Sequence, residues 1–269
     1  MRCKFCFATF KDVKNSILPK GHLPREKSIQ VVQQLADYGF EKITFAGGEP
    51  TLCSWLPDLI STAKKAGLTT MIVTNGTKLT DEFLSKNEKY LDWIALSVDS
   101  LEPETNRIIG RSVSNKIDDY FQIVDRVKKY DFGFKINTVI SQANFNENMG
   151  DFISYAMPKR WKIFQVLPIK GQNDKHIENF VISSEQFQFF LAKHAYLETF
   201  VKIVPEANQQ MKGSYAMVDP AGRFYDNQNG TYQYSYPILE VGVAHAIRQM
   251  QYDFDKFIQR EGRYQWQRL

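Results

Sequence analysis

Cys3-Lys-Phe-Cys6-Phe7 places two cysteines two residues apart near the first residue of the chain, and the reading of this pair decides the fold. Such a pair can hold a metal, form a redox couple, or sit buried as two small apolar side chains. A thioredoxin-type redox pair follows a strand, and there is no room for a strand ahead of Cys3. Zinc would need two more ligands, and only Cys53 and four scattered histidines remain. An iron–sulfur cluster takes thiolates from closely spaced cysteines, which is the third metal reading.

Working outward from the pair, residues 7–24 read as a loop closed by Leu23-Pro24. Ile29, Val32, Leu35 and Ala36 then recur at helical spacing, and Gly39 supplies a stop. Lys42-Ile-Thr-Phe-Ala46 is strand-like and runs directly into Gly47-Gly-Glu-Pro50. The same alternation continues along the chain. It predicts a helix over 56–66, strands over 70–74 and 93–98, a helix face of Ile117, Tyr120, Phe121, Val124 and Val127, a strand over 134–140, a helix over 147–156 and a strand over 161–167. Strands alternating with helices imply right-handed βαβ units and a parallel sheet. About five such units predict an α/β fold, a partial TIM-like barrel with functional residues at the C-terminal strand ends. After Pro168 the pattern changes to a polar stretch, a Phe-rich helix around 187–191 and the run Val201-Lys-Ile-Val204. Residues 205–269 read as aromatic-rich and irregular apart from a helix over 238–249. The expectation is one domain over 1–269, with a core to about residue 168 and an extension over 169–269 capping the barrel mouth.

At 269 residues, 43% of them apolar and 14% aromatic, the chain is long enough for a large core. The net charge of +4 fits an anionic small ligand and is too mild to argue for nucleic acid or a membrane as partner. Three cysteines are too few for a disulfide framework, and free thiols suit a reducing compartment. No apolar run is long enough to span a bilayer, and the start lacks a basic-then-apolar signal. A cytoplasmic monomer is the expectation.

Parallel strands are buried on both faces, so polar side chains inside them need a reason. Lys42, Lys135, Asn137 and Lys162 fall within predicted strands, and Arg160 shares a face with Lys162 in Arg160-Trp-Lys-Ile-Phe-Gln165. Four cations near one interior would repel each other unless an anion neutralised them, and a triphosphate carries enough charge. The alternative is that each lysine starts its strand and snorkels to water. Gly47-Gly-Glu-Pro50 follows a strand, where two glycines permit close backbone approach and Glu49 can accept from an ammonium group. Asn75, Ser97 and Asn137 are further polar groups toward strand ends, each also readable as a cap or turn residue.

Cys3, Phe5 and Cys6 match the last two-thirds of the Cys-x-x-x-Cys-x-x-Cys motif of radical S-adenosylmethionine (SAM) enzymes, and Gly47-Gly-Glu-Pro50 resembles their motif for the SAM amino group. The likeness is closer still to the viperin family, antiviral radical SAM enzymes with prokaryotic relatives. It is carried by Cys3-Lys-Phe-Cys-Phe7, Glu41-Lys-Ile-Thr-Phe-Ala-Gly-Gly-Glu-Pro50, Ile109-Gly-Arg111, Phe134-Lys-Ile-Asn137 and Arg160-Trp-Lys-Ile-Phe-Gln165. Val204-Pro-Glu-Ala-Asn-Gln-Gln-Met-Lys-Gly-Ser-Tyr215 and Leu239-Glu-Val-Gly-Val243 extend it along nearly the whole chain.

The resemblance implies a [4Fe-4S] cluster on Cys3 and Cys6, and SAM held by Phe5, Gly47, Gly48, Glu49, Pro50, Asn75, Ser97, Arg111 and Asn137. It implies a nucleoside triphosphate held by Lys42, Lys135, Arg160 and Lys162. Tyr215 would donate hydrogen or order the substrate; otherwise it is a core tyrosine of the extension. The reaction implied is loss of the 4′ hydrogen and the 3′ hydroxyl, giving a 3′-deoxy-3′,4′-didehydro nucleotide. CTP is the foremost substrate, with UTP or GTP as alternatives, and flavodoxin or ferredoxin is the electron donor. The first cluster cysteine would lie four residues before Cys3, so a start set too late, truncating the chain through that residue, is expected; Cys53 is the alternative third ligand. Two rivals stand beside this reading: a radical SAM enzyme acting on a peptide or other small molecule, and a non-catalytic nucleotide-binding protein without a cluster.

Overall fold

The structure is a computed structural model that describes residues 3–18, 20–111 and 120–266. Six strands, β1 (Lys42–Phe45), β2 (Thr69–Thr74), β3 (Trp93–Ser97), β4 (Gly133–Ile140), β5 (Arg160–Gln165) and β6 (Lys202–Glu206), pair in chain order. Every pairing is parallel, as right-handed crossovers through helices require. The helices of these crossovers are α1 (Arg25–Tyr38, leading into β1), α2 (Leu56–Lys65), α3 (Asp81–Asn87), α4 (Pro103–Ile109), α5 (Tyr120–Lys128), α6 (Gly150–Ala156) and α7 (Ser184–His194). Among the described residues no strand pair joins β1 to β6, so the barrel is partial and open on one side.

The two faces of the sheet have different work. Ile72, Ile94, Leu96, Ile136 and Ile163 point outward and are fully buried in one core with the helices. Burial of each such side chain contributes roughly 1.5–3 kcal/mol. With stability carried outside, the inner face can hold polar groups. Side chains alternate along a strand, so the register sets Ala95 beside Lys135 and Lys135 beside Arg160; one layer on, Ser97, Asn137 and Lys162 are neighbours. Gly133 marks the lower end of this interior. A Cβ there would stand 2.3 Å from the Trp93 ring, so glycine makes room for the indole.

Most expected elements form within a residue or two of their predicted bounds. Ile117, assigned to the helix before β4, lies outside the described residues. The seven-residue helices α3 and α4 are additions; they are too short to show a period, although Thr80 accepts from Phe83 N at 3.1 Å as a cap for α3. The largest correction concerns residues 205–269. In place of an irregular tract there is a second, antiparallel sheet of β7 (Met217–Val218), β8 (Arg223–Asp226) and β9 (Gln233–Pro237), preceded by α8 (Asn208–Met211). The helix expected over 238–249 is broken at Gly242, whose φ of +77° is outside the helical range, into α9 (Ile238–Val241) and α10 (Val243–Ile247).

This extension spans the open side of the barrel. Phe224, Ile238, Val243 and Ala246 pack on Val31 and Leu35 of α1, and Tyr225 and Tyr232 pack with Phe164 of β5 and with Leu167 and Ile169 beyond it. At the C-terminal strand ends it grips the cysteine loop. Tyr232 OH donates to Phe7 O at 2.6 Å, Asn173 Nδ2 to Phe5 O at 3.1 Å, and Thr9 Oγ1 to Gln172 Oε1 at 2.8 Å. After α11 (Phe254–Gln259) the chain runs beneath the opposite end, where Trp93 Nε1 donates to Trp266 O at 2.6 Å.

Candidate functional site

At the C-terminal end of the strands the first group of expected residues comes together. Cys3 and Cys6 are partly buried, with Lys4 N bonded to Ile109 O at 2.9 Å. Burial pushes the Cys3 thiol up to about 11 and also raises Cys6, while Arg111 beside both works the other way. Arg111 is buried and its Nε donates to Asp99 Oδ2 at 2.5 Å; burial disfavours its charge, but Asp99 holds it protonated. The ring of Phe5 turns into the core, edge-on to Phe180 at 5.6 Å.

Gly47 has φ +133°, and open space lies where a Cβ would be at both Gly47 and Gly48. Backbone is therefore exposed to the cleft at both positions. Glu49 links two strand ends: its carboxylate accepts from Thr51 Oγ1 and Thr74 Oγ1 at 2.6 Å each and from Asn75 N at 2.8 Å. Asn75 Oδ1 is engaged in its own turn, accepting from Thr77 N at 2.9 Å. Pro50 is buried behind the loop.

Deeper in, β1, β4 and β5 bring the four cations to one interior. Lys135 is 2% exposed and Arg160 7%. Burial first, then Lys162 and Arg160, pull Lys42 down to about 7; burial, Lys42, Lys162 and Arg160 pull Lys135 down to about 4. Snorkelling is thus excluded for Lys135. Asn137 Oδ1 is buried without a partner in the layer above.

Two charged groups in this interior went unread in the sequence. Glu206, fully buried at the end of β6, accepts from Lys162, from Tyr215 OH and from Arg260 Nη1 (3.3 Å for the last). Burial opposes its charge, but Lys162 and Arg260 hold it below the usual carboxylate value. Tyr215 OH also accepts from Lys162 Nζ at 3.1 Å, and Arg260 lies 3.7 Å from its ring centroid. Burial and the Glu206 charge raise the Tyr215 phenol. Glu206 stands in Val204-Pro-Glu, where strand alternation alone could have faced it inward with Val204; Arg260 has no such local signal. Among the described residues neither Lys42 nor Lys135 has a carboxylate at ion-pair distance, whereas Arg160 pairs with Glu261 at 3.3 Å.

An open glycine backbone, a carboxylate and Arg111 around one cleft suit SAM. A [4Fe-4S] cluster of the Cys-x-x-x-Cys-x-x-Cys type takes three thiolates, and Cys3 and Cys6 supply two. Cys53 does not complete them: among the described residues no three His, Cys, Asp or Glu side chains gather as a metal site.

Residues 1–156 match the Radical SAM superfamily model. A nucleotide dehydratase dependent on S-adenosylmethionine from Lacinutrix mariniflava is 57% identical over 99% of this chain, which spans 56% of that relative's length. Another from Flammeovirga pacifica is 52% identical, over 99% of this chain and 92% of its own. The RSAD2 nucleotide dehydratase of Oncorhynchus mykiss is 37% identical over 98% of this chain and 77% of its own. Among solved structures, native anSMEcpe with bound AdoMet superposes with a TM-score of 0.62 at 18% identity, over 83% of this chain and 69% of that one. Streptococcus suis SuiB bound to S-adenosylmethionine superposes at 0.59, also at 18% identity, over 76% and 47%. The chain thus belongs to the radical SAM superfamily of enzymes and, within it, to the viperin-like nucleotide dehydratases dependent on S-adenosylmethionine.

Proposed function

We propose that this chain dehydrates a nucleoside triphosphate, CTP foremost, to its 3′-deoxy-3′,4′-didehydro analogue, a polymerase chain terminator suited to defence against phage. The supporting observation is the convergence of Lys42, Lys135, Arg160 and Lys162 in an interior whose other end carries Cys3, Cys6 and Gly47-Gly-Glu-Pro50. When bound, SAM and a reduced cluster supply the 5′-deoxyadenosyl radical that takes the 4′ hydrogen. The protein's own part is position and charge. Gly47, Gly48 and Glu49 hold the SAM amino acid end, with Pro50 and Phe5 shaping the loops and Asn75, Ser97, Arg111 and Asn137 around the cofactor. Lys42, Lys135, Arg160 and Lys162 hold the phosphates. Tyr215, its hydroxyl fixed between Lys162 and Glu206, orders the ribose or gives hydrogen. Cys3 and Cys6 would hold two sites of such a cluster, and neither Cys53 nor another described side chain sets a third thiolate beside them; flavodoxin or ferredoxin would deliver one electron for the radical and a second that, with a proton, lets the 3′ hydroxyl leave as water.

The test is titration of CTP, UTP and GTP into the SAM-bound protein. A buried phosphate oxygen that loses its cation costs roughly 2–5 kcal/mol. Lys135→Ala and Lys162→Ala therefore weaken triphosphate binding by about 30-fold or more and leave SAM affinity nearly unchanged. Arg160→Lys keeps the charge but loses the planar fork, so its loss is intermediate. If no triphosphate binds, or the alanine variants bind as the parent does, the nucleotide reading fails.

A further inference from the structure

Asp99 is a buried carboxylate that the reaction above leaves without a role. It stands just past the end of β3 and is 1% exposed. Oδ1 accepts from Val139 N of β4 at 2.9 Å, Oδ2 accepts from Arg111 Nε at 2.5 Å, and the carbonyl accepts from Asn144 Nδ2 at 2.6 Å. Asn144 is itself fixed, donating to Val139 O at 3.0 Å and accepting from Ser141 N at 2.8 Å. The carboxylate is therefore held by β4 and by the turn after it. Arg111 is held at its backbone as well. Gly110, with φ +81°, ends α4; Arg111 N donates to Asn106 O at 2.9 Å, and Asn106 Nδ2 reaches back to Ser100 O at 2.8 Å. Between a fixed backbone and a fixed carboxylate, the guanidinium lies beside Cys3 and Cys6, where its charge favours both thiolates.

A staple between two strands does not account for this pair. The ladder of β3 on β4 ends at Ser97 and Asn137, followed by the bond from Val98 N to Asn137 O at 2.9 Å. Val139 N comes next, and a neutral amide oxygen would serve it as well as a carboxylate does. Only Arg111 requires the charge. A buried ion pair also adds little stability over apolar side chains of the same size, because both groups lose their hydration. What the pair does supply is a guanidinium that keeps its charge while buried and stays in one place beside the cysteine loop. SAM carries an ammonium and a carboxylate on one carbon. The cleft offers Glu49 to the first and Arg111 to the second.

We propose that Asp99 is a positioning residue of the SAM site: it fixes Arg111 by its Nε edge so that the planar guanidinium meets the SAM carboxylate. This rests on the SAM site described above and is independent of the nucleotide reading. The test is a double-mutant cycle read by calorimetric titration of SAM into the full chain, with CTP as the control ligand. Asp99→Asn keeps an acceptor for Val139 N but turns an amide NH2 toward Arg111. SAM then binds about tenfold or more weakly, the cost of one hydrogen bond to a charged group. Arg111→Met removes the guanidinium, and its loss is at least as large. In that background Asp99→Asn weakens SAM no further, and CTP affinity stays within about twofold throughout. An equal loss of SAM affinity in both backgrounds, an unchanged affinity in Asp99→Asn alone, or a parallel loss of CTP affinity overturns the proposal; each would leave Asp99 a strand staple. Asp99→Glu, which keeps the charge but moves it by one methylene, takes the place of Asp99→Asn if that variant does not fold. A parent that binds CTP but no SAM overturns the proposal and leaves the nucleotide reading standing. One that shows the expected cycle with SAM but binds no CTP upholds the proposal and sinks the nucleotide reading.

Discussion

Lys135 and Lys42 carry the sharpest residue-scale consequence. Lys135 faces Lys42, Lys162, Arg160, Glu206 and Tyr264, Lys42 faces Lys162, Arg160, Arg260 and Tyr264, and burial with like charge brings them to about 4 and about 7. In the unliganded protein at pH 8, both are therefore largely neutral. A phosphate beside them favours the charged form and raises both values, so binding takes up protons. The sign follows: above the unliganded value and below the liganded one, affinity falls as pH rises, by up to tenfold per unit for each proton taken up. Titration of CTP at pH 8 in two buffers of different ionisation enthalpy should show an uptake approaching two protons. Equal heats in both buffers would contradict the arrangement. Asn137 and Glu206 belong to the same scale. One was named from the sequence and is an unpartnered amide oxygen; the other was missed because a lone glutamate near a strand end usually points to water.

At the scale of elements, the loop after β1 and the start of β4 make separate predictions. Glu49 does more than await a ligand, since it joins the loop to Thr74 and Asn75 at the end of β2. In Glu49→Gln either the SAM ammonium or Asn75 N meets an amide NH2. SAM affinity should fall, and Tm should fall as well by the cost of a mispaired buried donor, about 1–3 kcal/mol. Unchanged SAM affinity with a lowered Tm would reduce the motif to a strand link. Gly133→Ala places a methyl inside the Trp93 ring, at 2.3 Å. Overpacking of this kind costs about 1–3 kcal/mol in a denaturant midpoint, and Trp93→Leu in the same chain should recover part of it. No loss would mean that the indole moves freely, against its bond to Trp266.

Taken whole, the molecule keeps its apolar core outside the barrel and gathers more basic groups inside it than carboxylates to pair them. Such a protein is stabilised by its ligand through mass action. At a free concentration one hundred times Kd the gain is about 2.7 kcal/mol. For a chain of this size that raises Tm by roughly 5–11 °C. CTP and tripolyphosphate should both show the shift, and Lys135→Ala should abolish most of it while raising the unliganded Tm, because folding no longer has to take the proton from this buried lysine. A lower unliganded Tm in Lys135→Ala would mean that Glu206 and Tyr264 already compensate the charge.

The sequence by itself determined five of the six parallel strands, with β6 read only as the run Val201-Lys-Ile-Val204, because helix and strand periods are local properties of ten or so residues. It also determined both polar clusters: glycines and cations inside parallel strands stand out against an apolar background. It did not reach the antiparallel sheet of β7, β8 and β9, whose two- to five-residue strands are too short for a period to show. Nor did it reach Arg260 and Tyr264, which meet the cation row from 125 or more residues away in the chain from Lys135. Their place is decided by where the extension crosses the open side of the barrel, a matter of long-range packing. The tertiary structure alone decided that an aromatic floor lies beneath the cations and that Glu206 offsets Lys162 and Arg260 but not Lys42 or Lys135. Charge balance depends on distance through space, and spacing along a chain does not give that distance.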